Sequence, residues 1–189
     1  MFKQYKGVAE IFNAYWTAYG GLGKLLGSPY LHVALLLLIF TFQIWSGAGY
    51  VNGQPNTYWW EQSISVLPNL LGFTLGGFAI FIGFGDEKFR SLLAEPSEDS
   101  TINDYVALCA TFVHFILIQA LALISAIVAK GLWFYSPLLD PVRDWLPLLN
   151  GVAGAFGYGL FLYALTSVMA ATMHLFRIAR MYADFQSLP

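Results

Sequence analysis

The chain has 189 residues, of which 58% are hydrophobic, 17% aromatic and only 11% charged, with a formal net charge of −2. Soluble domains carry about 25% charged residues, so this chain lacks the polar side chains to cover a water-facing surface. The composition is that of an integral membrane protein, and without a basic stripe it excludes direct nucleic-acid binding. A single cysteine, Cys109, excludes an internal disulfide and a CxxC redox pair.

Residues 2–27 come first. Val8, Ile11, Phe12, Tyr15, Tyr19 and Leu22 fall at the spacing of one helical face, with Glu10, Asn13 and Thr17 on another. This predicts an amphipathic helix lying in the membrane interface, ended by Gly20 and Gly21. The following "GGLGKLLGS" has the look of a phosphate loop but is not one. That motif requires glycine where Ala18 stands and serine or threonine where Leu25 stands.

Four apolar runs then reach the length of about 20 residues needed to cross a bilayer: 31–49, 64–85, 105–129 and 148–178. The first is long for the core of a signal peptide, follows 30 residues of mixed sequence, and lacks a clear small-residue cleavage site. The expected architecture is therefore an all-α integral membrane protein, one domain over 1–189, with four transmembrane helices. If both termini face the cytoplasm, that side holds Lys3, Lys6, Lys24, Lys88, Arg90, Arg177 and Arg180, against Lys130 and Arg143 outside. The bias and the outer belt of Tyr50, Tyr58, Trp59, Trp60, Trp133, Tyr135 and Trp145 predict N-in, C-in topology in an inner membrane.

The second run spends Gly72, Gly76, Gly77 and Gly83 on an apolar helix, although glycine costs about 1 kcal/mol against alanine in a helix. Gly72, Gly76, Ala79 and Gly83 form one stripe, and Gly72 with Gly76 is a GxxxG pair. Small residues let helix backbones approach closely in lipid, where no hydrophobic force drives association. The fourth run repeats this with Ala153/Gly157 and Ala155/Gly159. These positions are read as helix-packing surface, within the unit or between subunits of a homo-oligomer.

The segment 86–104 is the one strongly polar stretch, with Asp86, Glu87, Glu95, Glu98, Asp99 and Asp104 against Lys88 and Arg90. It reads as a solvated cytoplasmic loop and a candidate docking surface for a soluble partner with a basic patch. Thr101 and Asp104 are placed to form a capping box for the third span.

Polar residues inside spans are the usual pointers to function. No Asp, Glu, Lys or Arg lies deep in any run, which disfavours a proton-coupled transporter. Asn69, Gln43, His114 and Gln119 remain, with Asn69 and Phe73 as candidates to line a pore. His114 lies about nine residues into its span, roughly 13 Å deep, and neither His32 nor His174 matches that depth. No cofactor or metal site is read, although histidines on facing helices keep a haem- or quinone-linked enzyme as an alternative.

A small four-span chain with both ends inside, a glycine-rich second span closing on "GFGDEKF" and almost no extramembrane domain resembles the KwaA-like membrane subunit of the Kiwa anti-phage defence system. The resemblance covers size and span layout along the whole chain. It implies an oligomeric inner-membrane sensor working with a soluble, DNA-binding partner subunit, and carries over no catalytic residue. The expected function is thus a non-enzymatic sensor or scaffold subunit, with a channel as its first alternative.

Overall fold

The computed structural model describes residues 2–46, 50–51, 54–55, 58–83, 87–95, 102–133 and 144–187. Among them the chain is helical apart from one two-residue antiparallel pairing, β1 (Tyr50–Val51) with β2 (Gln54–Pro55). The helices are α1 (Phe2–Tyr19), α2 (Gly21–Leu26), α3 (Pro29–Phe40), α4 (Phe42–Trp45), α5 (Trp59–Gly83), α6 (Glu87–Ala94), α7 (Asp104–Leu132) and α8 (Leu146–Gln186).

Three of these, α5, α7 and α8, are long and apolar enough to cross a membrane. Their run lengths follow from uninterrupted apolar sequence, and α8 continues eight residues beyond the expected span end. At 41 residues it is about 60 Å long, roughly twice the hydrocarbon thickness. Its last turns therefore project past any bilayer that the rest of the bundle spans.

The first expected span departs from the sequence reading. Instead of one helix over 31–49, α3 covers 12 residues, about 18 Å, and stops at Thr41. Its hydroxyl donates to Leu37 O at 2.7 Å, a carbonyl that also accepts from Thr41 N at 2.9 Å. Trp45 Nε1 donates to Leu38 O at 2.8 Å, so the break satisfies its own carbonyls, as an apolar surrounding demands. Alone, α3 is too short to cross.

Register is fixed by cross-helix contacts. Gln119 Nε2 donates to Thr74 Oγ1 at 2.9 Å, joining α7 to α5. Tyr158 OH donates to Gln62 Oε1 at 3.0 Å, joining α8 to α5. Thr166 Oγ1 donates to Tyr30 O at 3.0 Å, holding α3 on α8. Second contacts along each pair set the directions: Phe81 meets Tyr105, so α5 and α7 are antiparallel; Leu38 meets Gly159, so α3 and α8 are antiparallel; and Leu175 lies over Gly77, so α5 and α8 are parallel.

Small residues set the interhelical distances. Leu67, Ala122, Ala126 and Ala164 are fully buried. Ala122 and Ala126 form a small-xxx-small pair on α7, the kind of spacing that brings backbones together in lipid. Gly154 and Gly157 lie beneath Trp59: a Cβ at Gly157 would overlap the Trp59 indole, and one at Gly154 would overlap the Trp45 carbonyl. A second core stacks Phe112 on Phe78 and Phe81, with ring centroids 5.6 and 5.7 Å apart.

The polar segment 86–104 is not loop throughout. Helix α6 turns Phe89 and Leu93 inward, both buried, and Phe89 meets Tyr182 and Phe185 on the projecting end of α8 at 5.1 and 5.6 Å. The apolar positions at i and i+4 explain it: an eight-residue helix needs tertiary packing to persist. Phe89→Ala should therefore release α6, with a cost approaching the roughly 3–5 kcal/mol of a buried phenylalanine truncation. Faster proteolysis within 86–104 is the expected readout, and an unchanged cleavage rate would contradict the docking. The cap of α7 also differs from the expected box, because Asn103 Oδ1 accepts from Val106 N at 2.8 Å. Thr101, Asp86, Glu98 and Asp99 lie outside the described residues.

Candidate functional site

Helix α1 ends in a turn that the glycines make possible. Gly20 and Gly21 have φ of 103° and 63°, a left-handed conformation that side-chain-bearing residues resist. The turn folds α2 back so that Tyr15, Tyr19 and Lys24 all meet the same face of α7.

At the centre is His114, buried on α7. Its Nδ1 lies 2.8 Å from the Tyr15 hydroxyl and its Nε2 3.0 Å from that of Tyr163 on α8. A neutral imidazole donates through one nitrogen and accepts through the other, so both are engaged. Tyr19 stacks on the imidazole with centroids 3.9 Å apart and planes within 15°. One histidine thereby ties α1 to both α7 and α8. Burial first, and Tyr19 second, push the Tyr15 hydroxyl up to about 12, so it keeps its proton in this bond at neutral pH.

Next to this cluster Lys24 Nζ donates to Thr111 Oγ1 at 3.2 Å and lies 5.0 Å from the Tyr19 ring centroid. Lys24 and Thr111 open onto a cleft of about 90 Å³ between α7 and α8, which Asp104, His174 and Arg177 also line. The α7 side runs from Asp104 to Thr111 and the α8 side from His174 to Met181, each at i, i+3, i+4, i+7. Two helix stripes thus face each other across the cleft at the end where α8 begins to project.

The residues expected to line a pore do not converge within one chain. His114 and Gln119 are buried inside the bundle, whereas Asn69 and Phe73 are exposed on α5. Gln119 Oε1 has no hydrogen-bond partner. Gly72, Gly76, Ala79 and Gly83 share the exposed face with Asn69 and Phe73, and nothing lies within 4 Å of a Cβ placed at Gly72, Gly76 or Gly83. By contrast Gly157 packs under Trp59, and a Cβ at Gly159 would sit 3.4 Å from Leu38.

Among the acidic-segment candidates, Lys88 and Glu95 are exposed, while Glu87 and Arg90 belong to α6. His32 and Gln43 are exposed. Among the described residues no group of three His, Cys, Asp or Glu side chains converges. Sequence reading missed Tyr15, Tyr19 and Tyr163 as partners of His114, and the Lys24–Thr111 pair beside them. The one available signal was Tyr15 and Tyr19 at i, i+4 on the apolar side of α1.

Fold and site together define an all-helical membrane protein with an aromatic and cationic cluster at one end of its bundle. Comparison with protein families, curated proteins and solved structures finds no match to this chain.

Proposed function

We propose that the protein is a homo-oligomeric membrane scaffold or sensor subunit, assembled through α5 and reporting to the cytoplasm. The observation that carries this is the bare face of α5. Gly72, Gly76 and Gly83 are exposed with open space above them, although each costs helix stability and gains nothing from lipid. Asn69 stands on the same face, 10 residues from Trp59 in a 25-residue helix. That puts its amide near mid-depth, where a lipid contact leaves it unpartnered. A second copy packed over the glycines would satisfy both.

In this reading α3 completes a four-helix unit, both termini are cytoplasmic in an inner membrane, and α1 lies in the interface. Tyr5, Val8, Ile11 and Phe12 are exposed apolar side chains suited to lipid. A shift of α1 on the membrane surface is transmitted through Tyr15 and His114 to α7 and α8. The α6 helix and the end of α8 present the surface for a soluble partner, consistent with a place in an anti-phage complex of the Kiwa type.

Gly76→Leu tests the assembly. In a mild detergent, light scattering should give a smaller particle than the unsubstituted chain, because a bulky side chain blocks backbone approach. An oligomer of unchanged mass would remove the proposal.

A channel is the second reading, favoured by Asn69 and Phe73 flanking the glycines: copies packed around an axis would turn both toward it. Ion flux into liposomes separates the two. If the pore reading holds, Asn69→Leu should abolish flux while the oligomer persists. Absence of flux in the unsubstituted chain rejects it.

A further inference from the structure

We propose that the cleft between α7 and α8 binds the phosphodiester group of an anionic lipid, held by Lys24 and Arg177. Both cations line the cleft from separate elements, α2 and α8. Among the described residues neither forms an ion pair, and the one hydrogen bond of Lys24 there goes to a neutral hydroxyl, that of Thr111. Two like charges share the cleft with a single carboxylate, that of Asp104, and Arg177 is one cause, after burial, that holds the Lys24 ammonium below its usual range. An anion between them removes that penalty.

The remaining lining narrows the ligand. Asp104 is in the cleft, so the two cations stand against one carboxylate, a balance of +1 from these three groups. That suits a singly charged phosphodiester better than a phosphate dianion. Thr111 Oγ1 donates to Ala107 O at 2.8 Å, so it offers acceptance to Lys24 rather than a donor to the ligand. Leu108, Ile178 and Met181 also line the cleft, apolar side chains of the kind acyl chains contact. The ligand also has a mechanical consequence. Lys24 sits over the Tyr19 ring that stacks on His114, so headgroup binding fastens α2 to α8 next to the tether of α1.

The site lies within one chain and does not depend on assembly through α5. The test is native mass spectrometry of the full-length protein in detergent, with phosphatidylglycerol, phosphatidylcholine or inorganic phosphate added. Phosphatidylglycerol should be retained in preference to phosphatidylcholine. Lys24→Gln and Arg177→Gln should each weaken it about tenfold, the scale of one charge-assisted hydrogen bond. Lys24→Arg should keep binding, which separates loss of charge from misfolding. Arg180→Gln, an exposed cation outside the cleft, should bind like the unsubstituted chain, and so should Gly76→Leu.

Retention that is equal in all variants would overturn the proposal, as would failure of every probe to bind. Binding of inorganic phosphate but not phosphatidylglycerol would overturn the lipid as ligand and assign the cleft to a soluble phosphate.

Discussion

Gly157→Ala is expected to destabilise the bundle by about 1–3 kcal/mol, the usual cost of forcing extra volume into a packed core. A single methyl suffices because the space is already taken. A Cβ there would overlap the Trp59 indole, and Trp59 is itself only 5% exposed, so the ring has nowhere to swing. Gly154→Ala should be at least as damaging, since the obstructing group is the Trp45 backbone carbonyl rather than a side chain. Relieving it means moving α4, whose Trp45 indole caps the broken end of α3. Gly76→Ala is the matched control. Within one chain its Cβ meets open space, so the stability of the bundle itself, apart from any assembly over α5, should change by no more than the roughly 1 kcal/mol gained in helix propensity. Unfolding by titration of a denaturing detergent would rank the three. If Gly157→Ala unfolds like the unsubstituted chain, close approach of α5 to α8 is not what holds the bundle.

His114→Leu should detach α1 without unfolding the transmembrane bundle. The substitution removes two hydrogen bonds and leaves the hydroxyls of Tyr15 and Tyr163 without the partner they have now. Each buried polar group so stranded costs about 1–3 kcal/mol, and the Tyr19 stack is lost as well. Hydrogen exchange should then rise along 5–19 while α5, α7 and α8 keep their protection. Tyr15→Phe should give a weaker version of the same pattern, since Tyr163 and Tyr19 still engage the ring. The pH dependence has a definite sign. The folded state holds the Tyr15 proton up to about 12 against an ordinary value of 10.0, so its contribution is fully present below pH 10 and declines as pH rises towards 12. Between pH 6 and 9 the tyrosine itself should contribute no change in α1 protection. If α1 protection is unchanged by His114→Leu, the tether is not at this residue.

The membrane class was readable from composition, and α5, α7 and α8 from uninterrupted apolar runs. These are local properties: a helix of the required length and greasiness needs no partner to be recognised. The break at Thr41 was less legible, because the apolar run continues through it. At the break the Trp45 indole reaches back to the Leu38 carbonyl, a contact that composition does not encode. The α6 helix was hidden for the opposite reason. Its charges read as solvated loop, whereas Phe89 finds its partners about 90 residues away, at Tyr182 and Phe185.

The glycines divide along the same line. Sequence spacing identified small-residue faces on the second and fourth runs, but spacing is blind to what lies opposite. Only the tertiary structure places Trp59 over Gly157 and leaves Gly72, Gly76 and Gly83 bare, so similar motifs serve the interior in one helix and an outer face in the other. The His114 cluster belongs wholly to tertiary structure. Tyr15, His114 and Tyr163 come from three helices spread across 149 positions of the chain, and no local pattern links residues that only the folding back of α1 and the packing of α7 on α8 bring within hydrogen-bond distance.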